Sequence, residues 1–436
     1  MSHAALDAGR FDLSSQNLTL GAPASLLSRV LVIIGVVLLI VSGMMAWGTD
    51  DLAMVSKSYL VSFMWILAIS LGGLFFTFVQ HLTHAGWSVA VRRPAEVLAA
   101  NLAWIWIFFL PIVFMWLRGD LDALFIWADM EHLRAHNPEE ADVVAKKEAY
   151  LNTGFFFTRA VAYFVTWAIL GTFFYRMSLK QDSEGGSRIT DLLQKVSAPA
   201  ALLFGLTVTF AAFDWLMSLS PAWFSTIFGV YFFAGTCTAG FSAMILICVY
   251  IQRSGRMKGL ITSEHYQDLG KLLFAFGMVF WAYIGFSQYM LIWYGNIPEE
   301  TGWFLSRQVG DWSLLSLALL AGHFIIPFLC LISRWPKRYP LFLMVGAVWM
   351  IIFAWLDLYW LVMPVIPEDV YTATSYTEFA DAHENASTHL STPINWSLFL
   401  GMACCYFGIT LGRLRRHPLL PERDPRLKES LSFENI

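Results

Sequence analysis

The feature that most constrains this chain is a series of long apolar runs that recur from residue 28 to residue 411. A helix that crosses a membrane needs roughly 20 apolar residues, and the runs are close to that length. They are continuous rather than alternating, which excludes a transmembrane β-barrel. Only 14% of the residues are charged, against about 25% in soluble domains. The sequence therefore predicts an all-α polytopic membrane protein with ten transmembrane helices.

The distribution of Lys and Arg predicts the orientation of these helices. Of the 28 basic residues, 21 lie in the N-terminal segment, in the loops after helices 2, 4, 6 and 8, and in the C-terminal tail. Six lie in the opposite loops, and Arg159 lies inside helix 4. The positive-inside rule puts the basic side in the cytoplasm, so both termini are expected there. The first 27 residues lack the features of a cleaved signal peptide, so helix 1 is expected to be a retained anchor.

Two stretches match in spacing, FAAFDWLMSLSP at 210–221 and FAWLDLYWLVMP at 353–364. In each, an Asp follows the Ala by three residues and precedes a Pro by seven. The two copies end helices 5 and 9, so they are four helices apart. That offset predicts a parallel internal repeat of two four-helix units, helices 2–5 and 6–9, flanked by helices 1 and 10. Chance similarity of a short motif is the alternative.

These predictions divide the chain as follows. The spans are residues 28–47, 59–82, 95–116, 153–176, 197–219, 226–251, 272–293, 312–332, 341–364 and 393–411. The segments are a cytoplasmic N-terminal part (1–27), the first helix with its outer loop (28–58), the first four-helix unit (59–225), the second unit (226–364), an acidic outer loop with the tenth helix (365–412), and a cytoplasmic tail (413–436).

Three formal charges lie well inside the predicted spans, Arg159, Asp214 and Asp357. A charge at that depth costs about 2.5–3.5 kcal/mol on insertion scales, so it is paired, lines a polar cavity or serves a function. At 1.5 Å per residue, each Asp lies about 10 Å below the outer boundary, and Arg159 falls at a similar depth. An Arg159–Asp214 ion pair is geometrically easy. Asp357 has no such cation, and Gln288 and Tyr289 of helix 7 are candidate hydrogen-bond partners.

These residues form a candidate quinol or proton site near the outer face, and a second candidate cluster lies at the inner face. Residues 81–96 read HLTHAGWSVAVRRPAE. His81 and His84 are three apart at the end of helix 2, on one helix face. With Arg93 and Glu96 they form a candidate proton entrance, because histidines titrate near neutral pH. Interfacial capping by ordinary positive-inside residues is the alternative. His323, in the middle of helix 8, is either a relay step or a hydrogen-bonded packing residue.

The sequence contains no evident site for a redox metal. The five cysteines fall in apolar runs without C-x-x-C or C-x-x-C-H spacing, so no iron–sulfur cluster and no covalent haem are expected. The histidines near the inner surface and His323 lie at different depths, so no haem b ligand pair is expected. The chain has no basic domain that would indicate nucleic-acid binding.

Two stretches carry a resemblance to a known family, HAGWSVAVRRPAE at 84–96 and FSQYMLIWYGNIPEETGWF at 286–304. The chain resembles the F subunit of bacterial alternative complex III, a quinol:cytochrome c oxidoreductase, within the NrfD- and polysulfide-reductase-like membrane proteins. The resemblance implies a bacterial inner membrane location and partners that carry iron–sulfur clusters and haem c. It also implies a second NrfD-like subunit that is the better-supported site for menaquinol or ubiquinol.

The resemblance implies a structural subunit of this respiratory complex that conducts protons and holds no redox metal of its own. Two alternatives remain open at this stage. In one, this chain itself binds and oxidises quinol, which requires a lipid-open cavity beside a buried carboxylate. In the other, it is a proton-coupled solute transporter with broken helices and a mid-membrane cavity.

Overall fold

The computed structural model describes residues 11–367, 370 and 375–435, and these are mostly helical. The described residues contain nine helices long and apolar enough to cross a membrane, or ten when one bent pair counts as a single span. The all-α polytopic class is therefore confirmed. The helices are α1 (Ala22–Trp47), α2 (Leu52–Leu82), α3 (the bent pair Gly86–Ala103 and Ile105–Arg118), α4 (Thr153–Glu184), α5 (Arg188–Trp215), α6 (Phe228–Arg253), α7 (Ser263–Gly295), α8 (Gly310–Leu331), α9 (Pro340–Val362) and α10 (Pro393–Leu414).

Helices α2 and α6 form the centre of the molecule. In the most apolar 18-residue stretch of each, 94% and 83% of the residues are buried, against 11% for the helix that includes α1. The two central helices cross where Gly72 meets Gly240, and a Cβ on Gly240 would lie 2.6 Å from the Gly72 Cα. Small residues at such a crossing let two backbones approach closely, which is how helices associate in a membrane.

Helices α1 and α10 pack against each other at the edge of the molecule. The Ser28 hydroxyl donates to the Gly408 carbonyl at 2.7 Å, and the Ser42 hydroxyl donates to Ser397 Oγ at 2.8 Å. Hydroxyl contacts between helices are the usual polar link in a membrane, because few other partners exist there. The outward side of α1 is apolar and exposed, as expected for a surface that faces lipid.

The third span is bent. Residues 95–116 were expected to form a single span, and the structure has two helices bent by 49° around Trp104. The reason is Pro111, which has no N–H to donate to the Ile107 carbonyl. Residues Ile105–Phe109 instead form a 3₁₀ helix, and the Leu110 N–H bonds the Ile107 carbonyl.

Two further spans contain π-helical segments, Leu273–Phe280 in α7 and Leu320–Ile325 in α8. The second directly precedes Pro327, and the Ile326 N–H bonds Ala321, five residues back. A wider turn at that point accommodates the loss of one helical hydrogen bond, because Pro327 has no N–H to donate. By contrast, α5 continues through Pro199 as a single helix.

Short helices cap both ends of the bundle. The face that carries Ser15–Leu18, Arg334–Arg338 and Leu427–Leu431 is called the inner face below, and the opposite face, with Met130–His136, Pro298–Leu305 and Tyr376–Ala382, the outer face. Residues 1–10 of the predicted N-terminal segment lie outside the described residues. So do 368, 369 and 371–374 of the second outer loop, and residue 436 of the tail.

Candidate functional site

The carboxylate of Asp214 lies in a fully buried ion pair near the outer end of α5. Arg159 of α4 reaches it with two bonds of 2.8 Å, Nε to Oδ2 and Nη2 to Oδ1. The Tyr163 hydroxyl donates to Oδ2 at 2.7 Å. The structure thus contains the pairing that the sequence left open. A bidentate Arg–carboxylate pair is the strongest hydrogen-bonded form of this contact.

Aromatic residues enclose the cation of this pair. The Arg159 Cζ lies 3.9 Å from the Tyr150 ring centroid and 4.2 Å from that of Phe155, and Nη1 donates to the Tyr150 carbonyl at 3.0 Å. Burial, together with the Asp214 carboxylate, raises the pKa of Tyr150, so its phenol stays protonated at neutral pH. The Arg159–Asp214 ion pair is therefore enclosed by other side chains, and its two charges balance each other.

Asp357 occupies the matching position near the outer end of α9 with different partners. The Tyr231 hydroxyl of α6 donates to Oδ1, and the Trp281 Nε1–H of α7 donates to Oδ2 at 3.1 Å. Asp357 is 2% exposed, and none of the ion pairs among the described residues includes it. The prediction that Gln288 and Tyr289 bind Asp357 is wrong. All three residues lie in α7, but it is Trp281, farther from the outer end of the helix, that reaches the carboxyl group.

His323 lies against the same tryptophan. Its ring stacks on Trp281 with centroids 3.9 Å apart and planes 3° apart. Nε2 donates to the Gly277 carbonyl at 3.2 Å, and the Thr238 hydroxyl donates to the same oxygen at 2.8 Å. Both Gly277 and His323 lie in the π-helical segments, where the altered backbone lets the ring reach that carbonyl. Among the described residues, the buried His323 Nδ1 has no hydrogen-bond partner.

A network of buried charges lies at the inner face, where α3 begins. Arg92 Nε bonds Glu96 at 3.0 Å, and the Arg92 Nη2 bonds Asp424 of the C-terminal segment. Arg93 Nη2 bonds Asp182 of α4 at 2.7 Å, and its Nε lies 3.4 Å from Glu96. The sequence indicated Arg93 and Glu96 but gave no signal for Asp182 or Asp424, which lie far away in the chain.

The two histidines predicted with this network do not share one environment. Helix α2 ends at Leu82, so His84 lies beyond it with a φ of 54° and an exposed side chain. His81 remains in the helix, 3% exposed, with its ring stacked on Phe174 at 5.9 Å. The prediction that both lie on one helix face at a proton entrance is therefore wrong for His84.

Several buried polar atoms around this network have no hydrogen-bond partner within residues 11–367, 370 and 375–435. They are Gln80 Oε1, His81 Nε2, Arg93 Nη1, Tyr175 OH, Ser178 Oγ, Gln181 Oε1 and Asp182 Oδ1. Buried polar groups are nearly always satisfied, and water is the partner when protein is not. These atoms of the inner network are therefore candidate partners for ordered water.

The C-terminal segment covers the inner network on its inner side. Besides the Asp424 bond to Arg92, the Ser430 hydroxyl donates to the Trp87 carbonyl at 2.6 Å and accepts from the Ala90 N–H at 3.0 Å. The predicted tail thus folds back onto the bundle rather than extending away from it.

A cavity of about 710 Å³ lies between α7 and α8 and is open on the side of the bundle. Its walls are mostly aromatic and aliphatic, and its polar contributors include Gln288, Tyr289, Arg307 and Ser316. Tyr231 and Trp281 form part of its wall, whereas Asp357 does not. The two donors therefore separate the carboxyl group from the cavity. A second space of about 10 Å³, enough for about one water molecule, adjoins Asp357 on the side of α2 and α6.

Arg307 is a buried cation that the sequence did not reveal, because it lies in the loop before α8. Its Nε donates to Trp360 O at 3.1 Å, Nη1 to Trp303 O at 2.6 Å, and Nη2 to Leu361 O at 3.0 Å. Its Cζ lies 3.5 Å from the Trp303 ring centroid. No carboxylate of the described residues pairs with it, and burial lowers its pKa. Only a run of aromatic residues around position 303 hinted at such a cage.

Compared with known proteins, the sequence matches no protein-family model and no curated protein. Among the described residues, no group of three or more His, Cys, Asp or Glu could hold a metal ion.

Proposed function

We propose that this chain is a membrane subunit of a quinol:cytochrome c oxidoreductase of the alternative complex III type, which supports assembly and transfers protons. In the proposal it holds no redox metal and works beside partner subunits with iron–sulfur clusters and haem c, and a second NrfD-like subunit. Its location would be the bacterial inner membrane, with both termini in the cytoplasm.

The observation that carries the proton-transfer part is Asp357. An ionised carboxylate in an apolar interior is very costly without a cation, and the described residues give Asp357 only the neutral donors Tyr231 and Trp281. A structural role would be served more cheaply by an apolar side chain. Ionisable groups inside a membrane span generally mark a proton or substrate pathway.

The positions of the two family-like stretches support the same proposal. Stretch 84–96 contributes Arg92, Arg93 and Glu96 to the inner network. Stretch 286–304 lines the cavity between α7 and α8. The segments that resemble the family therefore coincide with the buried charge network at the inner face and with the cavity between α7 and α8.

The proton path would run from the inner network through His323 to Asp357. One ring nitrogen of His323 has no partner among the described residues and could accept a proton, and the ring contacts Trp281, which binds Asp357. Water would connect the inner network to His323, and the space beside Asp357 has room for about one water molecule.

The alternative, in which this chain oxidises quinol, is favoured by the cavity between α7 and α8. It is weakened by the position of the carboxyl group. A general base must come within hydrogen-bond reach of the proton that it removes. Here Tyr231 and Trp281 occupy both Asp357 oxygens from the cavity side.

The test uses the purified complex in liposomes, with Asp357→Asn and Asp214→Asn made separately. Quinol:cytochrome c activity and proton movement are measured on the same preparation. The proposal expects Asp357→Asn to retain electron transfer and to lose most proton movement. Glu299→Gln, an exposed acid on the outer face, is the matched control and should change neither.

Loss of quinol oxidation in an intact Asp357→Asn complex would show that this chain holds the quinol site. Unchanged proton movement in both Asp variants would leave only a structural role for the subunit. A chain that is stable and transports a solute without partners would overturn the proposed complex as a whole.

A further inference from the structure

We propose that the cavity between α7 and α8 binds one anionic phospholipid, with its phosphate at Arg307 and an acyl chain along the cavity. The cavity wall includes neither Asp357 nor His323, and the inference does not depend on the proposed function of the complex. It rests on charge, on length and on the polar groups at the mouth of the cavity.

The charge at the outer end of the cavity is unbalanced. Arg307 is 2% exposed, lines the cavity and pairs with no carboxylate of the described residues. A guanidinium group has five N–H donors. Four of them are directed to Trp303, Ser306, Trp360 and Leu361, which leaves one on Nη2 without an acceptor among the described residues. A phosphate oxygen supplies both the missing charge and the missing acceptor.

Other polar groups at the mouth suit the same headgroup. In the part of the chain that the structure describes, the buried Gln288 amide has no hydrogen-bond partner for Oε1. Because the oxygen and nitrogen of an amide are exchangeable by rotation, it can present a donor. Tyr376 and Gln308 also line the mouth, and the Tyr376 hydroxyl donates to the Gln308 carbonyl at 3.1 Å. These groups lie toward the outer face, where a headgroup would be found.

The length of the cavity matches one leaflet. Along α8 its wall runs from Ser313 to Phe324, which is roughly 16 Å at 1.5 Å per residue. Half of a hydrocarbon core is about 15 Å. Exposed apolar side chains flank the opening, including Phe286, Leu317 and Leu320. One acyl chain therefore fits along the cavity, while the second remains in the bilayer.

A quinone head is a poorer match for this cavity. A quinone is uncharged and would leave the Arg307 cation unbalanced. The carboxyl group that could accept a proton from a quinol lies behind Tyr231 and Trp281. The charge argument therefore favours a phosphodiester, and a quinone is treated as a competing outcome of the experiment.

The experiment is native mass spectrometry of the purified protein, with its partners if it has any, in a delipidating detergent. Phosphatidylglycerol and phosphatidylcholine with identical chains are titrated in, and decylubiquinone is added in a third series. We expect one phosphatidylglycerol to be retained at least tenfold more tightly than phosphatidylcholine. Decylubiquinone should not displace it.

Variants locate the site. Arg307→Gln should weaken phosphatidylglycerol binding by about tenfold to a hundredfold, as expected for a lost hydrogen bond to a charged group. Arg307→Lys keeps the charge and should restore part of the preference. Because Arg307 also bonds backbone carbonyls, a second variant avoids it. Ala282→Leu fills the cavity wall, and Ala275→Leu, exposed on the same helix outside the cavity, is its control.

Equal retention of the two phospholipids would refute the proposed headgroup site. Retention that survives Ala282→Leu would locate the lipid elsewhere on the surface. Displacement by decylubiquinone would identify a quinone as the occupant instead. None of these results depends on proton movement, so failure here is distinguishable from failure of the proposed function.

Discussion

At the scale of single residues, three buried ionic groups are stabilised in three different ways. Asp214 has an Arg partner, and Asp357 has two neutral donors. Arg307 has backbone carbonyls and an aromatic face. The two Asp residues occur in matching sequence motifs, yet only one is charge-balanced. Matching sequence therefore does not imply matching chemistry, because the partners come from other helices.

The ion pair in the first half should be a strong determinant of stability. Asp214→Asn or Arg159→Gln leaves one buried charge without its partner, which typically costs about 3–5 kcal/mol. We expect each variant to lower the midpoint of thermal unfolding in detergent markedly. The measurement is a melting curve followed by intrinsic tryptophan fluorescence.

The matched control for this pair is the double apolar variant Arg159→Met with Asp214→Leu. Removing both charges together leaves no unpaired ion, so this variant should lose much less stability than the sum of the single changes. A double variant as unstable as that sum would show that the two charges are not coupled.

The indole N–H of Trp281 should tune the carboxyl group of Asp357. Trp281→Phe keeps an aromatic ring against His323 but removes the N–H that bonds Oδ2. We expect the infrared carbonyl band that Asp357→Asn identifies to shift in this variant, and stability to fall by about 1 kcal/mol. Trp293→Phe, on an exposed position of the same helix, should leave the band unchanged.

At the scale of helices, the irregular segments gather around the candidate groups. The two π-helical segments contact each other and hold Gly277 and His323. The bend of α3 follows from Pro111, and the π-helix of α8 precedes Pro327. In a membrane, every freed backbone group needs an internal partner, so such irregularities occur only where the interior supplies one. The Gly277 carbonyl, with its two side-chain donors, is such a case.

The crossing of α2 and α6 should tolerate no side chain. A Cβ on Gly240 would lie 2.6 Å from the Gly72 Cα, so Gly240→Ala forces the two backbones apart. Overpacking of this kind typically costs about 1–3 kcal/mol. We expect a lower unfolding midpoint and less protein in the membrane. Gly43→Ala, where an added Cβ meets nothing within 4 Å, should be neutral or slightly stabilising.

At the scale of the whole molecule, the inner face is sealed by segments from both ends of the chain. The Leu419 N–H bonds the Leu18 carbonyl at 2.8 Å, and the Asn435 N–H bonds Glu264 at 3.2 Å. This closure lies over the buried network of Arg92, Arg93 and Glu96. Access to that network from the inner side therefore passes through the C-terminal segment.

The positive-inside distribution makes a testable statement about which face is cytoplasmic. Single cysteines replace the exposed residues Glu131, on the outer face, and Lys428, on the inner face. In right-side-out vesicles an impermeant maleimide should label Glu131→Cys directly and Lys428→Cys only after permeabilisation. The unmodified chain is the control for its own cysteines. The reverse labelling pattern would invert the orientation and with it the direction of the proton path.

The sequence was sufficient for the class of fold and for the position of most spans, because hydropathy sets them directly. It also located Asp214, Asp357, Arg159 and His323, since charge inside an apolar run is visible in one dimension. It failed for Gln288 and Tyr289 as partners of Asp357, and for His84. Those errors depend on helix rotation and on where a helix ends, which hydropathy does not encode.

What the sequence determined by itself is the set of apolar helices, their uneven distribution of positive charge and the residues that carry buried charge. Only the tertiary structure decided which charges are paired, that Arg307 is buried without a carboxylate partner among the described residues, and that Asp182 and Asp424 join the inner network. The physical reason is range. Burial in lipid follows from the composition of a single segment, whereas ion pairs and cavities depend on contacts between side chains that are far apart in the chain.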